Sequence, residues 1–198
     1  MKHSVNSMDV FGFVKPVVDV HTMGIYTIAN LLRDCGYKVH LAKDDVNAAL
    51  ENIQKVNNYS LVKRWILDKG ITRIGFSYRL DPKEGSDYFM ALYIHLKDDK
   101  MFVSDGGPLT EISFAGLPDT CDLVKAKIDG KTLVFPGNEP PIQSLRMYGV
   151  PEDILPKSIV NDSQYDGMIW DFAKKLVESQ KYLLEPAYVT PILFSPSL

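Results

Sequence analysis

The residues of this chain with the clearest chemical potential are Asp19 and His21, which begin an Asp-x-His-x-x-Gly motif that ends at Gly24. A carboxylate that bonds to one nitrogen of an imidazole fixes the tautomer of the ring. The other nitrogen is then free to act as a base or to bind a metal. The motif therefore predicts a site centred on His21, with Asp19 as its supporting group.

The elements around the motif predict where it lies in the fold. The apolar stretch that begins at Lys15 predicts a short strand running into the motif, with residues 1–13 as a lead-in. In a strand, residues two apart point the same way, so Asp19 and His21 are expected to face one crevice. A helix is predicted next, because apolar residues recur at helical spacing before a terminating glycine: Ile25, Ile28, Leu31, Leu32 and Gly36.

Strand and helix patterns alternate along the rest of the chain, which predicts an α/β fold. The expected architecture is a Rossmann-like, doubly wound, five-stranded parallel sheet of order 2-1-3-4-5. Its crevice would lie between strands 1 and 3, beside His21 and Ser77. The remaining predicted strands are 38–42, 71–78, 111–114 and 131–135, and the remaining predicted helices are 43–58, 60–69, 84–97 and 121–128.

Two regions are expected along the chain. Residues 1–138 form the Rossmann-like domain, and residues 139–198 form a helical and irregular C-terminal extension. The extension is predicted to contain one amphipathic helix within residues 165–182, followed by a proline-containing tail after Pro186.

Composition narrows the function classes. With 198 residues, 45% hydrophobic content and a net charge of −3, the chain is typical of a globular protein. The absence of basic runs argues against nucleic acid as a partner. No apolar segment approaches the roughly 18 residues of a membrane span, and no signal-peptide core is present, so a cytoplasmic protein is expected. Cys35 and Cys121 have no CxxC companion, which predicts reduced, buried thiols.

The motif Asp-Val-His-Thr-Met-Gly resembles the Asp-x-His-x-x-Gly signature of cobalamin (vitamin B12)-binding domains. These are the Rossmann-like modules of methionine synthase, corrinoid proteins, B12 mutases and B12-dependent radical-SAM enzymes. The first helix and the second strand occupy the family's positions, and Ile74-Gly75-Phe76-Ser77 resembles its third strand. The resemblance covers residues 14 to about 137.

This resemblance implies a cobalamin cofactor and a role for each residue of the motif. His21 would be the lower axial ligand of cobalt, with Asp19 holding the ring and modulating its basicity. Gly24 would keep the loop clear of the corrin face, and Thr22 and Met23 would contact the cofactor from the same loop.

The third and fourth strands would hold the nucleotide tail of the cofactor. Ser77 would donate its hydroxyl to that tail, with Tyr78 beside it, although Arg79 stands where the family's Ser-x-Leu element has leucine. Tyr78 also suits a packed core. The family's Gly-Gly pair has two candidates, Gly106-Gly107 by spacing and Ala115-Gly116 by placement at a strand end, and placement favours Ala115-Gly116.

The resulting prediction is a cobalamin-binding protein or subunit that holds the cofactor base-off and His-on. A partner chain would complete a methyltransferase, a mutase or a radical-SAM system, since no CxxxCxxC cluster motif is present. The alternative is a ligand-free Rossmann-like regulatory or interaction module that retains the motif. A flavodoxin or receiver domain fits less well, because Ser77 stands where a receiver has aspartate and the His21 loop is not a Ser/Thr-rich phosphate loop.

Overall fold

The computed structural model describes residues 5–128, 132–137, 139–156, 175 and 177–179. Within these residues, a five-stranded, all-parallel sheet of order β2-β1-β3-β4-β5 is flanked by helices on both faces. The predicted fold class and strand order are therefore confirmed.

Strands and helices alternate as the hydrophobic patterns predicted. The strands are β1 (Val10–Val14), β2 (Lys38–Leu41), β3 (Arg73–Tyr78), β4 (Glu111–Gly116) and β5 (Leu133–Phe135). The helices are α1 (Met23–Asp34), α2 (Asp44–Leu50), α3 (Val56–Lys69), α4 (Pro82–Asp98), α5 (Pro118–Lys127) and α6 (Pro141–Tyr148). Short 3-10 turns lie at Val103–Asp105 and Glu152–Ile154.

Two hydrophobic cores cover the two faces of the sheet. On one face, Ile74, Phe76 and Tyr78 of β3 pack with α2, α3, α4 and α5. On the other face, Phe11 and Phe13 of β1 pack with α1 and α6. Burial on both faces is typical of parallel sheets, and it leaves the sheet's two ends as the places where polar side chains gather.

The first strand lies earlier than the sequence predicted. It is Val10–Val14, and the apolar stretch from Lys15 into the motif is a loop, so that prediction was wrong. Pro16 lacks the N–H that a central strand needs, and its carbonyl accepts the Asp19 N–H in a turn. The valines of this stretch are exposed, whereas Phe11 and Phe13 are buried.

Two helix predictions also differ from the structure. The predicted helix 43–58 is broken at residues 51–55, and Val56 begins α3 instead of facing the core. Helix α6 was not predicted, because prolines punctuate the sequence around it. Pro141 occupies its first turn and Gly149, at φ +83°, ends it, so these breakers act as caps.

The chain divides into two compact units, residues 1–156 and 157–198. Helix α6 belongs to the first unit and contributes Leu145 and Tyr148 to its core. In the second unit, Lys175 and residues 177–179 are helical, within the predicted helix 165–182. The rest of that helix and the proline-containing tail lie outside the described residues. No helix among the described residues is long and apolar enough to cross a membrane.

Candidate functional site

Residues 15–22, here named the motif loop, connect β1 to α1 at the carboxyl edge of the sheet. One bond attaches the start of this loop to α2, and a second closes the loop on itself. The Lys15 N–H donates to Asn47 Oδ1 at 3.2 Å, and the Lys15 ammonium donates to the Asp19 carbonyl. Lys15 thus fixes the path of the chain that carries the motif.

Asp19 is fully buried and organises the site through both of its carboxylate oxygens. Oδ1 accepts the His21 N–H at 2.9 Å and also contacts His21 Nδ1 at 2.7 Å. Oδ2 accepts the Arg79 N–H at 2.8 Å. One carboxylate therefore holds the imidazole, the motif loop and the chain that leaves β3.

His21 presents its other ring nitrogen outward. Its side chain is 52% exposed, and Nε2 has no hydrogen-bond partner among the described residues. Because a carboxylate only accepts, Nδ1 donates to Asp19, and the neutral ring then carries its lone pair on Nε2. The pairing arises from an Asx turn, in which Asp19 bonds the backbone two residues on, rather than from the predicted strand alternation.

Exposed apolar side chains precede and follow His21 in the chain. Isolated exposed hydrophobic residues are ordinary, but several in one short stretch mark an interaction surface. We name this set the apolar rim: Val17, Val18, Val20, Met23 and Tyr26, which are 43% to 82% exposed.

The first turn of α1 is open beside His21. Thr22 is exposed and occupies the N-cap position without a side-chain capping bond. Gly24 is exposed as well, and a Cβ added there would meet no atom within 4 Å. The described part of the fold thus imposes no steric need for glycine at this helical position, where glycine lowers helix stability.

Ser77 and Ala115 lie side by side at the carboxyl ends of β3 and β4. They are paired in register, and Ala115 pairs in turn with Phe135 of β5. Ser77 is only 7% exposed, yet its hydroxyl has no hydrogen-bond partner among the described residues. The Asp19–Arg79 bond brings the motif loop to this strand end, so Asp19, His21 and Ser77 belong to one edge.

Tyr78 and Gly116 serve the interior of the protein. The Tyr78 ring lies in the core on the sheet face opposite Ser77, and its hydroxyl donates to Glu84. Burial and the Glu84 carboxylate raise the pKa of the Tyr78 phenol above its ordinary value. A Cβ on Gly116 would lie 2.5 Å from the Tyr78 carbonyl oxygen, so close strand packing requires glycine there.

The two candidate glycine pairs lie at opposite edges of the sheet. Gly106 and Gly107 form a turn before β4, at the amino edge. Ala115 and Gly116 end β4 at the carboxyl edge, beside Ser77. Only Ala115-Gly116 therefore shares an edge with His21.

Aromatic side chains fill the sheet face below Ser77 and Ala115. The Phe13 ring occupies the space above Gly75, where an added Cβ would lie 2.4 Å from it. The Tyr148 hydroxyl contacts the Ser113 hydroxyl at 2.9 Å, and its ring packs on Phe135. A group entering along this face from the carboxyl edge would meet these rings just below Ser77.

Arg79 is the residue of this edge whose importance the sequence did not reveal. Its guanidinium lies against Gly137, because a Cβ on that glycine would fall 2.6 Å from Nη1. The guanidinium makes no ion pair or hydrogen bond with the described residues. A cation directly after the end of the third strand was the available signal in the sequence, where it departs from Ser-x-Leu.

A small cleft of about 190 Å³ lies next to the motif loop, between the ends of β1 and β2. Thr22, Ile25 and Tyr26 of the α1 end line one side of it, and Asn47 and Asp44 of α2 line another. Its volume suits only a small molecule, and it lies on the far side of β1 from Ser77.

A metal at His21 would need ligands from outside the described protein groups. The described residues contain no group of three His, Cys, Asp or Glu side chains that could hold a metal ion.

Comparison with known proteins found no matching family model and no similar curated protein. The resemblance to cobalamin-binding domains therefore stays a prediction that rests on the motif and on the fold around it.

Proposed function

We propose that this chain binds a corrinoid cofactor, cobalamin, with His21 as the lower axial ligand of cobalt. The observation that carries the proposal is the His21 imidazole. Its Nδ1 is fixed by the fully buried Asp19, while Nε2 opens to solvent at the carboxyl edge of a doubly wound sheet. This is the edge at which such sheets bind ligands.

The surroundings of His21 suit a large, flat, partly apolar ligand. The apolar rim gives such a ligand a surface on which to lie. Gly24 leaves open space beside the imidazole, although the described fold does not require glycine there. A corrinoid in place would supply methyl-transfer or radical chemistry, while the chain orients it through His21 and Asp19.

A partner chain belongs to this proposal. A corrinoid on this edge would be covered from below by the motif loop, and its opposite face would lie towards solvent or a second protein. The proposed role is thus the cofactor-holding part of a cytoplasmic methyltransferase, mutase or radical-SAM system.

The aromatic filling of the sheet face favours a second candidate, the ligand-free regulatory or interaction module. Phe13 over Gly75 and the buried Tyr148 leave little depth for a nucleotide tail below Ser77. In that case the Asp19–His21 pair would only shape the motif loop, and the apolar rim would contact another protein.

Visible absorption titration of the full chain with hydroxocobalamin or methylcobalamin separates the two candidates. We expect a saturable spectral change as base-on cobalamin becomes histidine-ligated, and its loss in His21→Ala. His95→Ala is the matched control, because His95 stacks on Tyr59 instead of lying in the motif loop.

Each outcome of this titration has a definite meaning. Binding without the ligand change would leave cobalamin as the ligand but remove His21 from cobalt. A lack of binding at micromolar protein would refute the corrinoid proposal for this chain and favour the ligand-free module.

A further inference from the structure

We infer that Arg79 and Ser77 form an oxyanion subsite, suited to a phosphate or phosphodiester group, at the carboxyl edge beside His21. This inference deepens the proposed function and rests on it for the source of the phosphodiester. In cobalamin, the anionic group is the phosphodiester of the nucleotide loop.

The register of the sheet places Arg79 above Ser77. Ser77, Ala115 and Phe135 form one row across β3, β4 and β5. Arg79 and Gly137 each lie two residues beyond this row. Because the Arg79 guanidinium reaches Gly137, the side chain crosses above the end of β4 and covers the mouth of the space over the row.

Both polar side chains at this mouth lack a partner in the described part of the chain. The Arg79 guanidinium is only partly exposed, and Ser77, at 7% exposure, is more than nine-tenths buried. Neither Ser77 Oγ nor an Arg79 nitrogen is among the polar atoms sealed from solvent without a partner, so both groups are accessible to a ligand. A ligand that accepts from both groups would satisfy them together.

Two carboxylates of this edge bond to backbone donors and not to the Arg79 guanidinium. Asp19 accepts the Arg79 backbone N–H through Oδ2, and Glu139 accepts the Gly137 N–H at 2.9 Å. Neither forms an ion pair with the guanidinium, which leaves its fork of donors for an oxyanion. A planar guanidinium matches phosphate through two parallel hydrogen bonds, and a serine hydroxyl can add a third.

The position of this pair agrees with a ligand held by His21. The bond from the Arg79 N–H to Asp19 connects the subsite to the imidazole through one buried carboxylate. The pendant chain of a cofactor ligated at His21 Nε2 would then carry its phosphodiester to Arg79 across the ends of β3 and β4. The aromatic rings below Ser77 would then limit how far that group descends.

Substitution of the Arg79 side chain tests the inference cleanly, since its bond to Asp19 is made by the backbone and survives. The variants are Arg79→Gln, which removes the charge, and Arg79→Lys, which keeps the charge without the fork. Arg64→Gln is the matched control, because Arg64 is an exposed arginine on α3.

Titrations with cobalamin and with cobinamide, which lacks the phosphodiester and nucleotide, decide the matter if the wild type binds cobalamin. We expect Arg79→Gln to raise the dissociation constant for cobalamin about tenfold or more and to leave that for cobinamide unchanged. The cobalamin dissociation constant of Arg79→Lys should lie between those of the wild type and Arg79→Gln, and that of Arg64→Gln should equal the wild-type value. An equal effect on both ligands, or none on cobalamin, would overturn the inference.

If the wild type does not bind cobalamin, the proposed function fails and titration with inorganic phosphate decides the subsite alone. Calorimetry or amide chemical shifts at residues 77–79 should show phosphate binding in the wild type, weakened in Arg79→Gln. No phosphate binding to the wild type, or equal binding to the variant, would overturn the subsite.

Discussion

The two arginines of the third strand region have opposite environments at the two edges of one sheet. At the amino edge, Arg73 is buried between the carboxylates of Asp9 and Glu111. At the carboxyl edge, Arg79 follows the same strand and has no ion pair with the described residues. Among the described residues, Arg73 is paired with two carboxylates, whereas Arg79 is paired with none.

The amino edge is built as a closed network. Thr72 donates to Asp9 and accepts the Val10 N–H, so Asp9 joins β1 to β3 together with Arg73. A protein can tolerate replacement of a whole buried ion pair by apolar residues, but removal of one charged member leaves its partner's charge buried and unpaired. The function of these groups is therefore structural.

The carboxyl edge leaves several groups without partners among the described residues. It combines the exposed His21 imidazole, the Ser77 hydroxyl, for which the described part of the chain offers no partner, and the apolar rim. A ligand that bound these groups in the folded state would raise its stability. We therefore expect substitutions at the amino edge to lower stability and substitutions at the carboxyl edge to change binding.

The largest expected effect on stability comes from removing the buried cation of the amino edge. Arg73→Leu should lower the free energy of unfolding by about 3 to 5 kcal/mol, because Asp9 and Glu111 lose their cation. Arg79→Gln should change it by less than about 0.5 kcal/mol. Urea denaturation followed by circular dichroism measures both, and equal destabilisation by the two variants would refute the contrast.

Much of the fold was predictable because hydrophobic periodicity reports which faces are buried. The buried runs of β3 and β4 and the cap glycine of α3, Gly70, were predicted correctly. The first strand was misplaced because Val17, Val18 and Val20 read as core residues. Hydrophobicity alone cannot distinguish a buried strand from an exposed apolar loop.

The candidate site was predictable in part for a different reason. Asp19 and His21 are two residues apart, so either a strand or an Asx turn brings them together. The roles of Arg79 and Tyr148 depend on contacts with Gly137 and Ser113, which are far away in sequence. Local patterns carry no information about such pairs.

The next largest effect on stability is expected at one of two glycines of the carboxyl edge. Gly116→Ala should destabilise the fold by about 1 to 3 kcal/mol, because its Cβ would meet the Tyr78 carbonyl oxygen at 2.5 Å. Gly24→Ala should leave stability unchanged or raise it by up to about 1 kcal/mol, since that Cβ meets nothing.

Substitution of Gly24 should affect ligand binding more than it affects stability. In the cobalamin titration, Gly24→Ala is expected to weaken binding although it does not weaken the fold, and Gly24→Val should weaken binding further. Unchanged affinity in both Gly24 variants would remove this glycine from the proposed site while leaving the stability comparison intact.

The smallest expected effect concerns His40 of β2, which lies near the cations of the amino edge. Its Nε2 is buried without a partner among the described residues. Burial first, and then the charges of Lys69, Lys38 and Arg33, lower the pKa of the His40 imidazole below its ordinary value near 6.5. The folded state thus favours the neutral ring, whereas the unfolded chain takes up a proton at its ordinary pKa of about 6.5.

The stability that neutral His40 contributes is therefore complete above about pH 6.5 and declines as the pH falls towards the lowered folded value. Urea denaturation of wild type and His40→Gln between about pH 7 and about pH 5 should show a shallower loss of stability in the variant. Parallel pH profiles would show that folding leaves the pKa of His40 unchanged, and that the amino edge therefore accepts a protonated His40 at low pH without a carboxylate beside it.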